Sequence, residues 1–174
     1  MRHGTGVLVL LTASFFASQT SAQELCYERT GQFANMRHCV SSVRAAQGSE
    51  KFGPENLAAT GDGAWCATAD KNQTVALFLK PSPVLRTVTI TNGYAKSEEI
   101  FKQNGRIKRA MLETDNGYKS MITLRDSTAA QRVIIPKGRY AWIKLSIVEA
   151  TRGTANPNPC LSEFLVNLEE FGNN

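Results

Sequence analysis

The sequence has almost no histidine: among 174 residues there are two, His3 and His38. Nucleophilic catalysis that pairs a serine or cysteine with an imidazole base therefore has little to work with. His38 adjoins Cys39 in a candidate strand and reads as a structural residue. There is no Cys-x-x-Cys and no His-Glu-x-x-His, which excludes the usual zinc sites. A Gly-rich phosphate loop and an EF-hand loop are also missing. Glycosidase chemistry needs two facing carboxylates, and nothing in the spacing of the 15 acids singles out a pair. No catalytic residues are assigned, and a non-enzymatic protein is expected. The net charge of +5 is small and evenly spread, too weak a basic signature for nucleic acid.

Long hydrophobic runs are scarce as well. The one clear run, residues 7–16, follows the positive start Met1-Arg2-His3 and falls short of the roughly 20 residues that cross a bilayer. It is followed by Thr20-Ser21-Ala22, small side chains of the kind a signal peptidase accepts. Residues 1–22 are therefore expected to be a signal peptide, leaving a secreted or periplasmic protein with no transmembrane segment. Cleavage removes Arg2 and no acid, so the formal charge falls from +5 to +4. What remains is about 150 residues, one domain's worth of core. It divides into an N-terminal arm over 23–38 and a domain over 39–174.

Four cysteines remain, Cys26, Cys39, Cys66 and Cys160. In an oxidising compartment they form two disulfides. Three pairings are possible; Cys26 with Cys39 and Cys66 with Cys160 is the expected one, closing a short N-terminal loop and tying two distant segments.

From residue 38 onward, short alternating segments are separated by turn residues. Strands are expected at 38–45, 75–79, 86–92, 106–114, 120–124, 131–135, 139–148 and 161–168. Alternate residues of 75–79, and Ile143, Leu145 and Ile147, can face one core. Turns are expected at 80–83, 115–117 and 136–138, and 156–159 reads as a Pro-interrupted loop. Residues 96–104 read as one or two helical turns, with Ile100 and Phe101 pinning them to the core. About eight strands at this spacing make an all-β fold, a jelly-roll β-sandwich.

Several segments resemble a known family. They are Phe52-Gly53-Pro54-Glu55-Asn56-Leu57, Asp62-Gly63-Ala64-Trp65-Cys66, Asn92-Gly93-Tyr94-Ala95-Lys96-Ser97-Glu98-Glu99 with Phe101, Asn104, Arg106 and Lys108, and Leu161-Ser162-Glu163-Phe164. Together they resemble the NADase-type glycan-binding domain, a relative of the coagulation factor 5/8 type C (discoidin), galactose-binding-like domains. The resemblance implies a jelly roll that binds carbohydrate through loops at one end and has no activity of its own. Carbohydrate contact would then fall to Trp65, Asn92, Tyr94, Lys96, Asn104 and Arg106.

Each of these has a structural alternative. Trp65, beside a cysteine, suits the core, Asn92 and Asn104 suit loop backbone groups, and Arg106 suits a pair with Glu98 or Glu99. Tyr94 and Lys96 are the best candidates, and Tyr94→Ala and Lys96→Ala are expected to weaken glycan binding without lowering thermal stability. No cofactor is expected. A structural calcium would have only the carboxylates of Asp62 and Glu163 toward its six to eight oxygens. The competing reading is a domain that docks a protein partner through an exposed patch or a sheet edge.

Overall fold

The computed structural model describes residues 25–31, 34–58, 61–69 and 72–167. The expected signal peptide lies outside them. Ten strands follow in order: β1 (Leu25–Thr30), β2 (Asn35–Val40), β3 (Trp65–Cys66), β4 (Thr74–Lys80), β5 (Val84–Asn92), β6 (Asn104–Thr114), β7 (Lys119–Thr123), β8 (Gln131–Arg139), β9 (Trp142–Thr151) and β10 (Asn156–Val166). A 3₁₀ turn at Pro54–Ala58 and one helix, α1 (Glu98–Gln103), are interposed.

The strands pair in the order β1-β2-β4-β9-β6-β10-β5-β8, with β7 on β6 and β3 on β10. The sheet doubles over where β6 meets β10 in a short parallel pairing, giving the two leaves of a jelly-roll sandwich. Period-two alternation fills the space between them. Val75 and Leu77 of β4 stand opposite Leu145 and Ile143 of β9, and all four are buried. Leu85, Val88 and Ile90 of β5 and Leu161, Phe164 and Val166 of β10 supply the other side. Each such side chain contributes about 1.5–3 kcal/mol on burial. His38 of β2 lies in this core, its Nε2 2.7 Å from the carbonyl oxygen of Phe164 on β10, so the imidazole links the two leaves.

All eight expected strands are present, with shifted ends, and β1 and β3 are additional. The stretch 23–38, read as an arm, contains β1 and most of β2. β1 is an edge strand with all six residues exposed, so its composition carries no burial signal. Cys26 stands directly opposite Cys39, and the disulfide cross-links that strand pair. The second disulfide, Cys66–Cys160, joins β3 to β10 across a separation of 94 residues.

Three other boundaries differ from expectation. β2 ends at Val40 rather than residue 45, because the Ser41 hydroxyl accepts from Thr74 N (2.9 Å) and Arg44 N donates to the Cys66 carbonyl (2.8 Å), turning the chain away. Residues 136–138 are not a turn but part of β8; Pro136 is tolerated because β8 is an edge strand. Residues 156–159 begin β10 instead of forming a loop. The close approach there requires Gly105, since a Cβ would stand 2.4 Å from the Asn158 carbonyl oxygen. The Asp115-Asn116-Gly117 turn does join β6 to antiparallel β7, with Gly117 at φ +86. α1 begins as read, with the Ser97 hydroxyl accepting from Ile100 N (3.2 Å) and Phe101 buried.

Candidate functional site

β5 runs from the 81–83 turn at one end of the sandwich to residues 93–97 at the other. This second end, the loop end, carries the longer connections, among them residues 41–58, 61–64, 93–103 and 124–130. Two neighbouring cavities open there. One, of ≈ 270 Å³, is lined by Asp62, Thr91, Lys96, Thr128, Ser162 and Glu163, with Gly61 and Ala95. The other, of ≈ 340 Å³, is lined by Glu50, Lys51, Glu55, Asp62, Tyr94 and Lys96 among others. Asp62 and Lys96 belong to both.

The 93–97 segment is held rigidly. Gly93 sits at φ +67, and a Cβ there would meet the Phe101 ring at 2.6 Å. The Ser162 hydroxyl donates to the Gly93 carbonyl (3.0 Å) and accepts from Ala95 N (2.9 Å). These bonds fix where Tyr94 and Lys96 emerge. Lys96 is exposed, with its ammonium 3.3 Å from Glu50 Oε1. That hydrogen bond, with the nearby Tyr94 phenol, holds the Lys96 pKa above its ordinary value. Burial, followed by the Glu50 carboxylate, raises that of the Tyr94 phenol, so the site presents a neutral phenol and a charged amine at neutral pH.

Of the six sequence-based candidates, Tyr94 and Lys96 line these cavities, and the other four serve the scaffold. Trp65 is fully buried and its indole N–H donates to the Ser42 carbonyl (2.8 Å), so it offers no platform to a ligand. Asn92 is buried, donating from Nδ2 to the Ile107 carbonyl (2.8 Å) and accepting at Oδ1 from Ile107 N (2.9 Å), which stitches β5 to β6. Asn104 closes α1 by donating to the Ile100 carbonyl (2.9 Å) and accepts from the Arg44 guanidinium (2.8 Å). Arg106 pairs with neither Glu98 nor Glu99. Its Nε and a terminal nitrogen donate to the two carboxylate oxygens of Asp126 (2.9 and 3.1 Å), and its other terminal nitrogen donates to the carbonyls of Asn104 and Arg152. This clamp draws the Asp126 pKa below the usual range.

Tyr94 also needs correction. Its ring is 4% exposed and packs edge-on against Phe52 (6.2 Å between centroids), so truncation to alanine would cost stability as well as contacts. Asp62 and Glu163 line one cavity, but Lys96 lies there too, and the Thr91 hydroxyl donates to Glu163 (2.7 Å). Among the described residues no three His, Cys, Asp or Glu side chains gather to hold a metal.

Sequence reasoning missed Glu50, Thr91 and Thr128. Glu50 and Thr128 come from two separate connections and Thr91 from the end of β5, and the fold brings them beside Lys96. It also missed Arg44, whose guanidinium stacks 3.7 Å from the Phe52 centroid; burial lowers its pKa.

A jelly-roll β-sandwich with cavities among its end loops is the architecture of a discoidin-like module. The chain belongs to the NAD glycohydrolase translocation F5/8 type C domain family, whose model matches residues 33–167. No curated protein matches the sequence. Among solved structures, similar folds include a carbohydrate-binding module from Clostridium perfringens in complex with GalNAc-β-1,3-galactose (16% identity, 75% of this chain and 94% of that one, TM-score 0.59). The family 32 module of Clostridium perfringens NanJ, in complex with galactose, is similar at 14% identity (75% and 92% covered, TM-score 0.55). That of Streptococcus pneumoniae EndoD is similar at 11% identity (75% and 94%, TM-score 0.56). At these identities the likeness establishes the fold.

Proposed function

We propose that the chain is an exported, non-catalytic module that binds a saccharide in the loop-end cavities. The observation that carries this reading is the pair of neighbouring cavities that share Asp62 and Lys96. Carboxylates, hydroxyls and an ammonium on a rigid scaffold are what hydroxyl-rich ligands require. Four acids (Glu50, Glu55, Asp62 and Glu163) and two lysines (Lys51 and Lys96) line the two cavities, which favours a neutral sugar over an acidic one. Two similar folds are sugar complexes by their own descriptions, which supports the same ligand class here. Export is supported by the two disulfides, which persist in oxidising compartments. The absence of catalysis is supported by His38, buried and bonded to backbone, which cannot reach a substrate.

The test is a glycan array with the purified mature protein and Lys96→Ala. Binding of neutral glycans by the parent, lost in the variant while the melting temperature holds, supports the reading. Binding unaffected by Lys96→Ala refutes the assignment of the site. A second reading, docking of a protein strand, is favoured by one observation: β1 is a fully exposed edge carrying Leu25 and Tyr27. Recovery of a specific protein by pull-down, with no glycan bound, would select it.

A further inference from the structure

The alternation that buries Leu77 and Ile143 turns their neighbours Phe78 and Trp142 to the outer face of the first leaf, where both are only partly buried. The register sets four residues side by side on adjacent strands: Glu28 opposite Arg37, Arg37 opposite Phe78, and Phe78 opposite Trp142. Directly opposed residues share a face with Cβ atoms about 5 Å apart, so this is one continuous row on the surface. A groove of ≈ 490 Å³ opens at the Glu28–Arg37–Phe78 part of this row, walled by Glu28, Asn35, Arg37, Phe78 and Lys80 and closed by the 81–82 turn and Ala141; Trp142, next in the row and adjoining Ala141, stands at its margin. The groove lies at the end opposite the loop-end cavities. Its outer wall, β1, precedes the residues matched by the family and is fastened by Cys26–Cys39.

The Arg37 guanidinium lies over the Phe78 ring, 4.7 Å from its centroid. A stacked guanidinium is held flat with its N–H fork free to meet a carboxylate with two parallel bonds. Arg37 and Lys80 make no ion pair among the described residues, and the one acid lining the groove is Glu28. On the other side of Phe78 in the row, the partly buried Trp142 supplies an aromatic ring of the sort that covers a pyranose.

We propose that this groove is a second saccharide site, specific for a sugar acid: Arg37 takes the carboxylate in a fork, Lys80 adds charge, and Trp142 stacks on the ring. Phe78 positions Arg37. The site is independent of the loop-end cavities, which the proposal leaves to neutral sugars.

The experiment titrates the mature, oxidised protein with trigalacturonic acid and with its methyl ester, read by amide chemical shifts. The acid should shift residues 35–37, 78–82 and 141–142, and the ester, which keeps the ring and loses the charge, should bind at least ~10-fold more weakly. Arg37→Gln and Trp142→Ala should each weaken the acid by ~10-fold or more, Arg37→Lys should restore part of the loss, and Lys96→Ala should leave it unchanged. Unchanged melting temperatures for the Arg37 variants, whose side chain is exposed, separate lost recognition from lost fold. Equal binding of acid and ester, shifts confined to the loop end, or no shift with either probe at millimolar concentration would overturn the proposal. So would shifts of these residues on simple dilution, which would mean that a second copy of the chain covers the groove.

Discussion

At the loop end, the connections are long and polar side chains are spent on holding them: Asn92, Asn104, Arg106 and Ser162 are buried, and each bonds backbone across elements, Arg106 at the Arg152 carbonyl. At the opposite end the turns are short, and the groove there is lined by polar side chains that stay outside, Arg37 and Lys80 exposed and Asn35 half-buried. The first arrangement builds a shaped cavity by immobilising irregular backbone. The second uses the pleat itself, which sets side chains at fixed spacing without buried polar support. A polar residue type therefore says little about function here; whether its hydrogen bonds are already spent says more.

The largest contrast should come from the disulfides. Closing a longer loop restrains the unfolded chain more, so replacing Cys66 and Cys160 by serine should cost about 4–5 kcal/mol and replacing Cys26 and Cys39 about 3 kcal/mol. Denaturant unfolding measures both, and an equal or reversed ranking would break the distinction. The first pair should also abolish neutral-glycan binding, whereas the second should loosen β1 and spare the loop end.

Next comes Tyr94. Removing a buried ring costs about 3–5 kcal/mol, so Tyr94→Ala should unfold well below the parent temperature. Tyr94→Phe keeps the ring and should change stability by less than about 1 kcal/mol while reducing glycan affinity. If Tyr94→Ala melts with the parent, the ring is not the wall that the loop end requires.

Acid should weaken both ends through the residue between them. Burial holds the His38 pKa below its ordinary 6.5, opposed by the bond to the Phe164 carbonyl, so the folded state keeps the ring neutral. The unfolded chain then binds more protons once the pH drops below about 6.5, and stability falls with pH from there. Carboxylates follow lower: Glu113, held by Lys119 and Lys144, and Asp126, held by Arg106, have depressed pKa values. Their contribution is present above the ordinary carboxylate range and is lost as pH falls through their folded values. His38→Gln should remove the first phase and leave the second. A stability profile flat from pH 7 to 5 in the parent would contradict this assignment.

The smallest effect on stability belongs to Lys96→Ala, because its pair with Glu50 is exposed on both sides; a change below about 0.5 kcal/mol is expected. Binding at the loop end should nonetheless fall.

Much of the fold was legible from alternation and turn chemistry. The eight core strands and the hairpin at 115–117 follow from local pattern, and the cystine pairing was expected among the three possible. β1 was not legible, because an exposed edge strand buries nothing and so has no hydrophobic period. The inclusion of Pro136 in β8 and of 156–159 in β10 depends on which strands are edges and where two backbones meet, which is tertiary information. At the site, Tyr94 and Lys96 were readable because they stand in the Asn92-Gly93-Tyr94-Ala95-Lys96-Ser97 segment that carries the family resemblance. Trp65, Asn92, Asn104 and Arg106 were candidates from the same resembling segments and from residue type, and burial settles where their hydrogen bonds go. Phe78 and Trp142 could have been found by asking which aromatics fall on the outward phase of paired strands.

The most direct test of the central claim is an amide-shift titration of the mature protein with a neutral saccharide such as GalNAc-β-1,3-galactose. Shifts concentrated at Gly61, Asp62, Ala95, Lys96 and Ser162, absent in Lys96→Ala, are the predicted result. Shifts confined to β1 or to the Arg37 groove, with the loop end silent, would contradict it.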